Sequence, residues 1–318
     1  LAAIALLAMT SLLLVSDRFN NLQSNKKIVS LSKESFISIN NIFFGTLIFS
    51  TMLGVLYPLI YEFIYDQKIS VGAPFYNAIF VPITLIACIF LYFSIDSKWQ
   101  QSFNFKSLYQ PLFLSITASL IIVALAFYKF LIVNFWTLAS LLIGSIIIIR
   151  YLIVIYFYFV YRKFANFFSI IAHCGLGLLI ISIALNDNLS SERALNIKIN
   201  ETEVYKDYQI NFKNLRVVPG PNFDSVKADF VITNPNGKVF TLTPEKRKYF
   251  ARGQVTTETA IHASALKDIY ITIGDQLDDG SWIVNIQFNV FIRWIWFSAI
   301  MMVLAGLLLT HSLSRSRS

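Results

Sequence analysis

One imidazole in this sequence is placed where imidazoles are costly. His173 lies within Ala165–Leu185, an otherwise apolar run long enough to cross a bilayer. Ionisable groups in hydrocarbon mark ligand or proton-relay sites by default. A histidine hydrogen-bonded to a neighbouring helix is the plainer alternative. Around it, Ala172, Cys174, Gly175 and Gly177 are small enough to admit either a second helix or a flat cofactor.

Other candidates are weaker. Arg293 opens the last apolar run in Phe291-Ile-Arg-Trp-Ile-Trp296, where snorkelling to head groups and an aromatic belt would account for it. Pro244-Glu-Lys-Arg-Lys-Tyr249 packs four charges beside an aromatic and reads most simply as a solvated loop. Gly72 and Pro74 read as a turn between helices, and Pro58 sits near the end of one. His262 falls in a polar region and His311 at a helix end. The two cysteines, Cys88 and Cys174, form no Cys-x-x-Cys, which excludes dithiol redox chemistry, zinc fingers and covalent haem attachment to this chain. No phosphate loop, His-Glu-x-x-His or nucleophile elbow is present.

The elements that must position these residues are largely membrane helices. The 318 residues are 56% hydrophobic and 14% charged, where a soluble domain carries about a quarter charged. Seven apolar stretches read as spans: Leu1–Val15, Ile42–Tyr65, Ala78–Ile95, Leu112–Phe130, Phe135–Tyr161, Phe167–Leu185 and Phe291–Thr310. Arg18, Lys26, Lys27, Lys33, Lys98, Lys106, Arg162, Lys163, Arg315 and Arg317 fall on one side of them, against Lys68 and Lys129 on the other. The positive-inside rule then puts the C-terminus inside. It also absorbs the net charge of +8, so no nucleic acid partner is implied. The chain begins at Leu1 within an apolar run, with no charged leader or cleavage site, and reads as a fragment or one piece of a divided protein.

Three regions follow: helices over 1–185, a polar domain over 186–290, and a last helix with a short inner tail over 291–318. The polar domain holds 12 basic and 13 acidic residues, and helix parity places it outside. Its periodicity is that of β-structure. Trp282, Val284, Ile286 and Phe288 alternate with polar residues, and Asn234-Pro-Asn-Gly237 separates two short runs as in a hairpin. Pro219-Gly-Pro221 and Asp278-Asp-Gly280 read as further turns. The expected fold is a membrane α-helical bundle of about seven transmembrane helices, with one small extracytoplasmic antiparallel β-domain inserted before the last helix. A single sheet is expected, including Lys227–Thr233, Lys238–Thr243 and Ser281–Phe288.

Taken in order, several segments resemble the C-terminal half of the CcmF family, haem lyase subunits of cytochrome c maturation. They are Lys33-Glu-Ser-Phe36 with Asn40-Asn41, Leu53-Gly-Val-Leu-Tyr-Pro58, Ser70-Val-Gly-Ala-Pro-Phe-Tyr-Asn77, Ala172-His-Cys-Gly175, Pro244–Tyr249, Thr257-Glu-Thr-Ala-Ile261 and Phe291–Trp296. The resemblance implies a role in joining haem to apocytochrome c at the outer face of a bacterial or mitochondrial inner membrane. It also implies a haem b within the membrane, with His173 as one axial iron ligand. Implied partners are a haem chaperone, apocytochrome c with its thiol-handling subunit, membrane lipid, and an N-terminal half in the same or a separate chain. The family's tryptophan-rich segment, its two outer histidines and the second membrane haem ligand belong to that other half, so no catalytic residue is expected here. A permease-type or scaffold subunit whose β-domain docks a partner is the alternative; a lipid-modifying enzyme lacks any acid/base cluster.

Overall fold

In the computed structural model, residues 2–22, 28–161, 167–251 and 253–315 are described. Lys26, Lys27, Arg162, Lys163 and Arg317, which carry part of the charge asymmetry, lie outside them, as does the side chain of His311. The chain packs as two units, Leu1–Tyr109 and Gln110–Ser318.

The first unit contains α1 (Ala2–Leu22), α2 (Lys33–Tyr65), α3 (Ala73–Ser94) and the start of α4 (Phe105–Phe130). Helix α2 begins at Lys33 rather than Ile42, because the Ser32 hydroxyl caps it by accepting from Ser35 N–H. The Glu34 carboxylate accepts from Gln100 N–H at 2.9 and 3.1 Å, tying the helix start to the loop after α3. Phe36 is buried there among Phe90, Phe93 and Phe103. Gly72 is the N-cap of α3, as its turn chemistry predicts. Gly54 is required by proximity, since a Cβ there would stand 2.5 Å from the Tyr76 hydroxyl. Two segments the sequence marks out separately therefore meet at one crossing.

The second unit continues α4 and adds α5 (Phe135–Tyr161), α6 (Phe167–Leu189), a β-domain and α7 (Ile292–Arg315). Helix α6 packs against both α5 and α7. Among the described residues, six helices, α2 to α7, are long and apolar enough to cross a membrane.

The β-domain is a sandwich of two antiparallel sheets, not the single sheet expected from sequence. One sheet orders β1 (Ser191–Ile197), β10 (Trp282–Val290), β9 (Lys267–Gln276) and β8 (Ala260–His262). The other orders β2 (Thr202–Tyr205), β3 (Tyr208–Pro219), β4 (Phe223–Thr233), β6 (Glu245–Tyr249) and β7 (Val255–Glu258), with β5 (Val239–Leu242) also on β4. Two half-buried sheets need each other, because the apolar side of each must be covered. Phe212 and Phe230 stack at 4.6 Å in the interior, with Ile271, Ile286 and Phe288 from the opposite sheet. The Asn234–Gly237 turn joins β4 to β5 as its sequence predicts, with Gly237 at φ +77° and the Asn234 side chain accepting from two backbone N–H groups.

Pro244–Tyr249 departs from the loop reading, since Glu245–Tyr249 is strand β6. Its buried Glu245 carboxylate accepts from the Ser225 hydroxyl at 2.5 Å and from Arg247, with Lys227 at 3.4 Å. Burial alone would push this carboxyl up, but the Ser225 and Arg247 hydrogen bonds and the Lys227 and Arg247 charges hold it below the ordinary range. With its pKa depressed, Glu245 contributes stability that is present above the unfolded value of about 4.3 and lost as pH falls through the lower folded value. Glu245→Gln is expected to remove that acid-dependent loss and to lower sandwich stability by about 1–3 kcal/mol at neutral pH. Hydrogen exchange of the β4 and β6 amides in the intact chain, followed against pH, checks both effects.

Candidate functional site

The site is built where α5 and α6 cross. Gly144 and Gly177 face each other so closely that a Cβ on Gly177 would lie 2.8 Å from the Gly144 carbonyl oxygen, and one on Gly144 would lie 2.9 Å from that of Gly177. A Cβ on Gly175 would instead meet Met302 of α7 at 2.9 Å. Sequence leaves open whether these small residues admit a helix or a flat ligand. In the fold, Gly175 and Gly177 are both spent on helix packing.

This close crossing brings α5 against His173. The Tyr151 ring stacks on the imidazole with centroids 5.0 Å apart and planes 17° from parallel. The imidazole edge is fixed from its own helix, where Nδ1 lies 2.6 Å from the Ser169 carbonyl oxygen and 3.2 Å from the Ser169 hydroxyl. A carbonyl only accepts, so this contact assigns the proton to Nδ1 and the lone pair to Nε2. That tautomer, held by a backbone acceptor, is the arrangement that orients histidines toward metals. The imidazole is half-buried, with one face covered by Tyr151.

Arg150 is a residue that motif and charge patterns pass over. It is 6% exposed, lies inside apolar helix α5, and immediately precedes Tyr151. A signal for it exists in the sequence, as a lone arginine between Ile146–Ile149 and Leu152–Val154. The remaining histidine with a described side chain is structural, for His262 in β8 stacks on Phe240 at 3.8 Å. Among the described residues, no group of three His, Cys, Asp or Glu is arranged to hold a metal ion.

Arg293 also differs from expectation. Its Nε donates to the buried Asp268 carboxylate at 3.2 and 3.3 Å instead of merely reaching for head groups. Trp294 Nε1–H donates to the Ala265 carbonyl at 2.9 Å. At the other strand–helix junction, Asn186 Nδ2 donates to the Val290 carbonyl at 2.7 Å, and the Ser190 hydroxyl accepts from Val290 N–H at 3.0 Å. Strands β1 and β10, which continue from α6 and lead into α7, pair over Ser191–Ile197. Two adjacent, hydrogen-bonded crossings thus fasten the sandwich to the helix pair.

Six long apolar helices with a sandwich inserted before the last of them define a polytopic membrane protein. Residues 188–290 match the family of the CcmF C-terminal β-sandwich. The chain is 29% identical over 311 residues to the cytochrome c-type biogenesis protein CcmF of Haemophilus influenzae, covering 94% of this chain and 48% of that protein. Against CcmF of Escherichia coli the figures are 28% over 311 residues, 97% and 48%. A solved structure titled Cytochrome c Heme Lyase CcmF superposes with a TM-score of 0.68 at 15% identity, over 88% of this chain and 46% of that one. Along most of its length the chain is thus similar to the C-terminal half of the CcmF proteins. It spans about half the length of the curated relatives it matches.

Proposed function

We propose that this chain is the C-terminal part of a haem lyase subunit for cytochrome c maturation, and that His173 supplies one axial nitrogen to a haem b held in the membrane. The observation that carries this reading is the Nδ1 contact to the Ser169 carbonyl, which leaves Nε2 as the coordinating atom of an imidazole inside an apolar helix. The residues present fit the group: one oriented nitrogen donor inside an apolar helix, with the Tyr151 ring stacked beside it. When bound, such a haem supplies a one-electron centre that helps keep the iron of the substrate haem reduced for thioether formation. The second axial ligand, the haem chaperone site and the site for apocytochrome c with its thiol-handling subunit are assigned to an N-terminal half or partner chain.

A single imidazole holds haem weakly, and two hold it firmly. The chain alone is therefore expected to purify nearly colourless, and to show a b-type Soret band once its N-terminal half is supplied. A complex of both halves that stays colourless in the presence of haem counts against the reading and in favour of a scaffold role.

The sandwich is assigned to the periplasmic or intermembrane side of an inner membrane, where it docks or shields partners of the reaction. The alternation of basic loops supports this placement. Reporters fused after Leu189 and after Ser318 are expected on opposite sides; the same side for both would contradict it.

A further inference from the structure

We propose that the open face of α7 holds one phospholipid, with its phosphate on the guanidinium of Arg293 and an acyl chain in the cleft beside it. The proposal needs α7 to lie in a membrane and is independent of the haem reading above. Ala265, Arg293, Trp294 and Phe297 line this cleft of about 190 Å³, and its exposed walls are almost wholly apolar. The strand–helix junction fixes its parts. Donation from Trp294 Nε1–H to the Ala265 carbonyl at 2.9 Å holds the indole in place as a wall. Asp268, 5% exposed, accepts from Ser264 N–H at 2.8 Å and from Arg293 Nε at 3.2 and 3.3 Å. That carboxylate orients the guanidinium through Nε alone. The Arg293 side chain is 53% exposed, and among the described residues nothing accepts from its two Nη groups. Its outer edge can therefore donate to phosphate oxygens, which a planar guanidinium fork suits.

The helix below Arg293 continues the site. Ser298 and Ala305 are buried on the side turned to α6, where a Cβ on Gly175 would meet the Ser298 carbonyl and Met302. On the side turned away, Phe297, Ile300, Leu304 and Leu307 follow Arg293 at helical spacing, each more than half exposed. A cationic head above an apolar stripe is the complement of a phospholipid, and Trp294 and Trp296 flank that head as an aromatic belt does. A second helix laid on the stripe would cover its apolar part but bring no anion to the guanidinium edge.

The test titrates the full chain, stripped of lipid in detergent, with dioleoylphosphatidylglycerol and with dioleoylglycerol, and reads bound lipid by native mass spectrometry. The two lipids share their chains and differ in the phosphate-bearing head. One phosphatidylglycerol is expected to bind about ten-fold or more tightly than dioleoylglycerol. Arg293→Gln is expected to bring the two to equal affinity, and Arg293→Lys to keep part of the difference. Ala265→Trp is expected to displace that one lipid by filling the cleft. A wild type that takes both lipids alike overturns the proposal, as does a preference that survives both Arg293→Gln and Ala265→Trp. Should Arg293→Gln fail to fold because Asp268 is left buried and unpaired, the wild-type comparison and Ala265→Trp decide. If the chain alone binds the lipid and its complex with the N-terminal half does not, the face belongs to that half and the proposal is overturned.

Discussion

His173→Ala in the complex of both halves is expected to abolish the b-type haem spectrum. The reason is local and electronic. Nδ1 is committed to the Ser169 carbonyl at 2.6 Å, so the proposed coordinating atom is Nε2. Alanine offers no donor to replace it. The neighbouring cysteine is no substitute under the same geometry, because Cys174 lies one residue further round the helix. His262→Ala is expected to leave the spectrum unchanged, since that ring packs on Phe240 within the sandwich. Absorbance of the reduced complexes, with helicity measured to show that each variant is folded, checks the set. A full spectrum in folded His173→Ala removes this residue from the site.

A second large change is expected at the crossing that places Tyr151. Gly177→Leu introduces a side chain where even a Cβ would lie 2.8 Å from both the Gly144 carbonyl oxygen and Ile148 Cγ1. A backbone oxygen cannot swing aside, so α5 and α6 must part. Overpacking of this kind costs about 1–3 kcal/mol. Parting the helices also withdraws Tyr151 from the imidazole, so haem affinity in the two-half complex should fall together with stability. Gly306→Ala is the matched control, because a Cβ at that position would meet nothing within 4 Å and alanine favours helix by about 1 kcal/mol. Thermal unfolding in detergent and a haem titration check the pair; a Gly177→Leu protein as stable as the Gly306→Ala control contradicts the packing account.

Apolar length and turn chemistry are what made most of this fold legible. The apolar run Phe135–Tyr161 coincides with α5, and the turns at Asn234–Gly237 and Asp278–Gly280 fall where glycine adopts positive φ. Helix ends were less legible, for α2 gains its first turns from a Ser32 cap and α7 runs on to Arg315 through polar residues. The hairpin joining β2 and β3 was hidden because Lys206 and Asp207 both take positive φ without glycine or asparagine. Strand β6 was hidden because its charges are matched from elsewhere, Glu245 by Ser225 twenty residues away. The same holds for Arg293 and Asp268.

At the site, His173 stood out in sequence by type and setting alone. Its tautomer, the Tyr151 wall and the use of Gly175 and Gly177 for packing depend on which faces of three helices meet, and periodicity does not fix that.

Everything proposed for the membrane site depends on Nε2 of His173 binding the iron. Histidine labelled with nitrogen-15 in this chain only, assembled with an unlabelled N-terminal half, allows electron–nuclear double resonance on the ferric haem to read the axial nitrogens directly. Strong coupling to one labelled nitrogen is expected, and its retention in His262→Ala. Two unlabelled axial nitrogens would contradict the assignment.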